Sequence, residues 1–474
     1  MKVRSAAFKE NARAALGDEA LQAALAKAKG GFVDKRRIAV EGLPEFDAIR
    51  DVAIEIKEHT LSHLDYYLEQ YESQVIASGG QVHWARTPKE ACEAVVAICR
   101  QAGGRRIIKG KSMVGEEIGI NEALGAAEFE VMETDLGEYI IQLAEEPPSH
   151  IIAPAVHKTR DQISDLFQAH HGKYGLTERV TEVATIVNEA RQVLRDIFIA
   201  GEIGITGANF LIADTGSNVL VTNEGNGDLT STLPRVHIVT ASIEKVVPTL
   251  EDATTILRLL GRSATGQEIT SYTTFSTGPR RAEDLDGPEE YHVVLVDNGR
   301  SELLATEYRH MLRCIRCGAC LNHCPVYGAI GGHAYGWVYP GPMGSVLTPL
   351  MVGLTDTVDL PNACTLNGRC RDVCPMRIPL PDMLRAHRER AHAQGIGGGL
   401  FGIGLSLWAW LAKRPSLYRL AADRFSAFLG ARGRKAGAFR SLPFAGAWTA
   451  SRDLPAPARV SFARQWRRRQ AENK

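Results

Sequence analysis

Two cysteine runs constrain this 474-residue chain more than any other feature. The first reads Cys314-Ile-Arg-Cys317-Gly-Ala-Cys320-Leu-Asn-His-Cys324-Pro325. Three thiolates spaced by two residues wrap three corners of a cubane. The proline then prevents a helix from continuing and aims the fourth thiolate elsewhere, in two-cluster ferredoxins at the neighbouring cluster. Zinc sites use ligand pairs separated by a longer loop, not four thiolates in so short a stretch. Nine cysteines, seven of them in these runs, also argue against a secreted disulfide framework. The chemistry implied is iron–sulfur.

The second run, Cys364-Thr-Leu-Asn367-Gly-Arg-Cys370-Arg-Asp-Val-Cys374-Pro375, repeats the template with asparagine at its second ligand position. With crossed ligation, Cys314, Cys317, Cys320 and Cys374 hold one [4Fe–4S] cluster, and Cys324, Cys364 and Cys370 hold another. The second is either a [3Fe–4S] or a [4Fe–4S] completed by a non-cysteine ligand such as Asn367, water or substrate. The three-iron form is favoured, because a neutral amide is a poor partner for iron beside soft thiolates. Two adjacent clusters read as a short electron wire. Cys92 and Cys99, on a helical pattern, are expected to be buried core thiols.

Upstream, short apolar runs alternate with helical segments, the pattern of a parallel α/β sheet covered on both faces. Strands are expected at Gln81–Ala85, Arg106–Lys109, Glu128–Met132, His150–Ala153 and Val236–Thr240, with a hairpin from Asn209–Ala213 to Asn218–Thr222. Helices are expected at 6–29, 45–78, Pro88–Gln101, Gly115–Leu124, Leu136–Leu143 and Thr177–Ala200. The boundaries implied are a helical region over 1–60, an α/β domain over 61–297, a helical dicluster domain over 298–390 and a basic extension over 391–474.

Loops of the α/β domain are the next candidates. Lys109-Gly-Lys111-Ser112 follows a strand and precedes a helix, an anion cradle. With Thr206, Asn223, Glu224 and Asn226, these residues form a candidate pocket for a small carboxylate, which His157-Lys158 could join. Tight turns satisfying backbone geometry explain the same residues equally well. His170 and His171 have no partner pattern and are expected at the surface.

Formal net charge is zero, so whole-molecule electrostatics give no case for nucleic acid. From about residue 400 basic residues outnumber acidic ones several-fold, ending in Trp466-Arg467-Arg468-Arg469. The uncharged stretch Gly395–Ala412 is at the lower limit for a membrane span and reads as a buried or docking helix, an interfacial contact or a span. The polar start Met1-Lys2-Val3-Arg4-Ser5 lacks a signal-peptide core, so a cytoplasmic home, with peripheral attachment to the membrane's inner face, is the expectation.

The chain resembles the lactate utilization protein B family. The resemblance rests on Gly204-Ile-Thr206-Gly-Ala-Asn209, Thr222-Asn-Glu-Gly-Asn226, the first cysteine run and Cys374-Pro-Met-Arg-Ile-Pro379. It implies a lactate-utilization domain similar in fold to sugar-phosphate isomerases and CoA transferases, followed by an all-α helical ferredoxin domain with two clusters. It also implies a non-catalytic electron-transfer subunit that works with sister proteins of one operon to oxidise L-lactate to pyruvate. Electrons then go to quinone or another membrane acceptor. The rival readings are a catalytic subunit that binds lactate itself and an iron–sulfur redox sensor.

Overall fold

In the computed structural model, which describes residues 3–397, 399–442, 446–449 and 452–472, the alternating pattern becomes a parallel sheet. In chain order the strands are β1 (Gln81–Ala85), β2 (Arg106–Lys109), β3 (Glu130–Glu133), β4 (Ile203–Gly207) and β5 (Phe210–Ile212). They continue as β6 (Ser217–Thr222), β7 (Val236–Ser242), β8 (Val246–Val247), β9 (Tyr272–Ser276) and β10 (Glu290–Val296). Six of them form one sheet in the order β1-β10-β7-β4-β2-β3, every neighbouring pair parallel. β4 and β7 are buried at every position, as a sheet covered on both faces requires. A smaller sheet, β8-β5-β6-β9, contains the expected antiparallel hairpin of β5 and β6.

The chain leaves β2 for β3 at one edge, returns to place β4 on the other side of β2, and then builds away through β7. Connections therefore diverge between β2 and β4. A crevice opens beyond the carboxyl ends of strands at such a switch point. Gly204 deepens the packing there: a Cβ on it would lie 1.9 Å from the Thr230 carbonyl oxygen, so glycine lets the helix Asn226–Thr232 ride directly on β4.

Three local expectations fail for identifiable reasons. Residues 150–153 form no strand, because the His150 Nδ1 accepts the N–H groups of Ile152 (3.0 Å) and Ala153 (3.1 Å) that a ladder would need. The helix expected over Gly115–Leu124 is two, Met113–Ile118 and Ile120–Ala126, broken where Gly119 turns left-handed at φ 74°. His171 is fully buried rather than superficial, bonded to Glu189 (2.7 Å) and to the Tyr139 hydroxyl (2.9 Å).

Met1–Gln394 forms one compact unit and Gly395–Lys474 another. Within the first, residues 298–394 carry helices and turns but no strand among the described residues. The N-terminal helices Phe8–Gly17 and Phe46–Ser62, the small sheet and the cysteine region share one apolar core, which joins Phe8, Phe46, Val219, Tyr335, Met376 and Leu384. The second unit contains the helices Gly399–Ala412, Pro415–Arg432 and Phe462–Glu472. None of its described helices is long and apolar enough to cross a membrane. Trp408, Trp410, Phe425 and Phe428 are nevertheless exposed.

Candidate iron–sulfur centres and an adjoining cavity

The two cysteine runs follow the same backbone path. Arg316 and Leu366, each two residues past its opening cysteine, lie at φ 58° and 54°. Gly318 and Gly368 follow at 73° and 85°, and short helices Ala319–Asn322 and Arg369–Asp372 carry Cys320 and Cys370. A left-handed non-glycine residue costs about 1–2 kcal/mol. That cost recurs at matched positions because the turn is what points successive side chains at one centre. Asn367 therefore stands on the backbone where Cys317 stands in the first run.

The runs exchange their last cysteines. Cys314, Cys317, Cys320 and Cys374 line one small cavity, while Cys324, Cys364, Cys370 and Asn367 line another. In the first, Cys317 and Cys374 are each 8% exposed. Burial, followed by the like charge of neighbouring sulfurs, pushes the thiols of Cys317 and Cys320 up. Burial also raises Cys374, opposed by the backbone N–H groups of Ile378 and Met376. Cys317, Cys320 and Cys374 are stable as thiolates only around a cationic centre, and an all-sulfur set completed by Cys314 suits iron–sulfur.

The second cavity has the same chemistry with a gap. Burial and the neighbouring Cys364 and Cys324 push Cys370 up to about 12. N–H groups of Tyr327 and Leu366 reach the sulfurs of Cys324 (3.5 Å) and Cys364 (3.3 Å). Asn367 is exposed, and its Oδ1 accepts the Arg369 N–H at 3.0 Å. His323 lines this cavity with its Nδ1 held by the Ala319 carbonyl at 2.9 Å.

Arginines that sequence reasoning missed hold the loops. Arg36 donates to the Val373 carbonyl (2.8 Å) and Arg50 to that of Cys374 (2.6 Å), with the Phe46 ring between them. Arg388 ties the carbonyls of Pro361 (2.7 Å) and Cys364 (2.5 Å).

Beyond the carboxyl ends of β2, β4 and β7 lies a cavity of about 250 Å³. Lys111, Ser112, Thr206, Asn223, Glu224 and Asn226 all line it. Several are already engaged. Ser112 caps Gly115 N–H (3.0 Å), Thr206 meets His237 (2.8 Å), and Asn223 is tied to Gln267 (3.1 Å) and Ser271 (3.1 Å). Burial holds His237 neutral, its pKa lowered to about 3. Lys109 departs from the expectation. Fully buried, it pairs with Glu133 (2.8 Å) and Glu116 (3.2 Å) away from the cavity. Burial alone would lower its pKa, but those carboxylates and Glu138 raise it. His157 and Lys158 are likewise elsewhere, both bonded to Glu146.

Lys245 and Arg316 also line the cavity, and Arg316 and Ile151 form the wall it shares with the first cysteine cavity. A buried ion chain leads there. Glu117 takes both amino groups of Arg300 (2.8 and 2.7 Å) and the Tyr339 hydroxyl (2.6 Å); Arg300 meets Glu244 (2.9 Å), and Glu244 meets Arg316 (3.5 Å). Burial pushes Glu244 up, yet Arg300 and Arg316 outweigh it and hold its pKa at about 2. The signal for this chain was present at Ile243-Glu244-Lys245-Val246, a charge pair inside an apolar run.

Comparison with known proteins agrees with both halves of the geometry. Residues 68–296 match the LUD domain family and residues 310–378 a 4Fe-4S dicluster domain. The Lactate utilization protein B of Bacillus licheniformis is 42% identical, covering 98% of this chain and 97% of that one. The protein of the same description from a Geobacillus strain is 43% identical, with 98% of each chain covered. An uncharacterized electron transport protein of Escherichia coli is 42% identical over 100% of this chain and 99% of its own.

Proposed function

The chain belongs to the lactate utilization protein B family, and from that premise we propose that it is the electron-transfer subunit of a multi-protein complex oxidising L-lactate to pyruvate. The observation that carries this reading is the pair of crossed cysteine cavities in one compact unit with the α/β domain. Cys314, Cys317, Cys320 and Cys374 hold a [4Fe–4S] cluster. Cys324, Cys364 and Cys370 hold a [3Fe–4S], because a neutral amide is a poor partner for iron beside soft thiolates, and the Asn367 oxygen has one lone pair already given to Arg369 N–H. When bound, the clusters supply one-electron stepping points. The protein's own contribution is to orient the thiolates, aim N–H groups at sulfur and exclude water from the first site.

Sister proteins of the operon bring the hydroxy acid's electrons, and quinone or another membrane acceptor takes them. The unit beginning at Gly395 supports attachment at the membrane's inner face. It has fifteen basic residues against three acidic ones, and exposed tryptophans and phenylalanines. The full chain should sediment with vesicles containing phosphatidylglycerol and be released by salt; no sedimentation removes the attachment.

The electron-transfer role is tested by visible absorbance. Mixed anaerobically with its sister proteins and L-lactate, the iron-loaded chain bleaches; with L-lactate alone it does not. Bleaching by lactate alone would make this chain the catalytic subunit. No bleaching in the full mixture would contradict the proposal.

A further inference from the structure

We infer that the cavity at the β2/β4 switch point binds a small carboxylate of a few carbons, seated on Lys245 and Arg316 beside the first cysteine cavity. The inference rests on the reading of the chain as an iron–sulfur subunit and adds a ligand site to it.

Charge carries the argument. Where the α/β domain meets the cysteine region, Lys57, Lys245, Arg300 and Arg316 are buried, against the buried carboxylates of Glu117 and Glu244. Buried ions are tolerated when paired and hydrogen-bonded, and an unpaired one is costly. Glu117 and Glu244 satisfy Arg300, and Glu244 also meets Arg316. Lys57 donates to the carbonyls of Glu244 and Val246. Lys245 is left over. It is 6% exposed, lines the cavity, and among the described residues its ammonium has no hydrogen bond or ion pair. Glu244 and Cys314 act on it only through space, without a hydrogen bond, and Lys111 elsewhere on the lining faces the carboxylates of Asp135 and Glu224, so an anion that would bond the Lys245 ammonium belongs in the cavity. Burial and the adjacent Arg316 lower its pKa to about 8, which an incoming carboxylate would reverse.

Size and place agree. At about 250 Å³ the space is below the roughly 300–1,000 Å³ of drug-sized sites, as a metabolite of a few carbons requires. It lies at the carboxyl ends of the strands, where open α/β sheets bind ligands. Arg316 belongs to the loop between Cys314 and Cys317, so an anion on its guanidinium side changes the charge next to the first cluster's ligands.

The test is calorimetric titration of the anaerobic, iron-loaded full chain with L-lactate, pyruvate, neutral lactamide and inorganic phosphate. The expected result is saturable binding of L-lactate or pyruvate, none of lactamide, and at least tenfold weaker carboxylate binding in Lys245→Gln at unchanged iron content. The lactate-against-lactamide contrast in the unaltered chain needs no variant, so a misfolded Lys245→Gln leaves the question answerable. No carboxylate binding, equal binding in a folded Lys245→Gln, or binding of phosphate alone would overturn the inference. Iron content and reduction by dithionite, measured on the same sample, separate that failure from failure of the electron-transfer reading.

Discussion

The two cysteine cavities share a backbone and differ in what surrounds them. At the first, Cys317 is buried, Arg36 and Arg50 grip the carbonyls of Val373 and Cys374, and Arg316 links the site to the α/β domain. At the second, the matching position is an exposed Asn367, and among the described residues Arg388 alone ties the carbonyls of Pro361 and Cys364; the remaining walls of both cavities are largely apolar. Net charge, N–H···S bonds and solvent exposure set cluster potentials. Matched loops in unlike surroundings would thus let one fold set two stepping points at different potentials. The enclosed one shares the wall of Ile151 and Arg316 with the cavity of the α/β domain; the other presents the exposed Asn367.

The contrast can be broken site by site. The largest effect is expected from Cys374→Ser, which should empty the first cavity, remove about half of the iron and abolish reduction by the sister proteins. Cys370→Ser should spare the first cluster, and equal damage from both changes would deny that the sites are separate. Next comes Glu244→Gln, which leaves Arg316 without a carboxylate and Arg300 with Glu117 alone, and should cost about 3–5 kcal/mol in anaerobic denaturant unfolding. Because the folded pKa of Glu244 is depressed to about 2, its stabilisation is complete above the unfolded carboxylate value. It is lost as pH falls from about 4.3 toward that folded value. The acid limb of the unfolding profile should therefore be shallower in Glu244→Gln than in the parent.

Smaller effects follow from the loop anchors. Arg36→Met and Arg388→Met should each cost about 1–3 kcal/mol. The first should loosen only the Cys374 cluster and the second only the Cys364 cluster, read by iron loss in chelator. The finest change is Asn367→Cys. The backbone there already matches that of Cys317, so the new thiol should add one iron without altering stability appreciably.

Local chemistry made much of this legible in sequence. Cysteine spacing anticipated which cysteines line each cavity, and alternating apolar runs located β1 and β2 to the residue. Six of the seven expected pocket residues line the cavity because the carboxyl ends of β2, β4 and β6 meet there: Lys111 and Ser112 follow β2, Thr206 ends β4, and Asn223, Glu224 and Asn226 follow β6. Lys109 was misplaced because strand alternation decides which face a residue takes, and its partners Glu116 and Glu133 become neighbours only once β2 and β3 pair. Arg36 and Arg388 were invisible for the same reason. Each acts on a carbonyl brought to it by tertiary packing, and a lone cation carries no periodic signal. His150 shows the reverse failure, an apolar run that reads as a strand until its own ring captures the backbone N–H groups.

The most direct test of two unequal clusters is an iron and sulfide count on the anaerobically purified chain, with its EPR spectrum recorded before reduction. The account predicts about seven irons and a paramagnetic signal in the oxidised state, one cluster of four irons and one of three. About eight irons with a silent oxidised spectrum would contradict it, because the Asn367 corner would then be filled and the two sites would be equals.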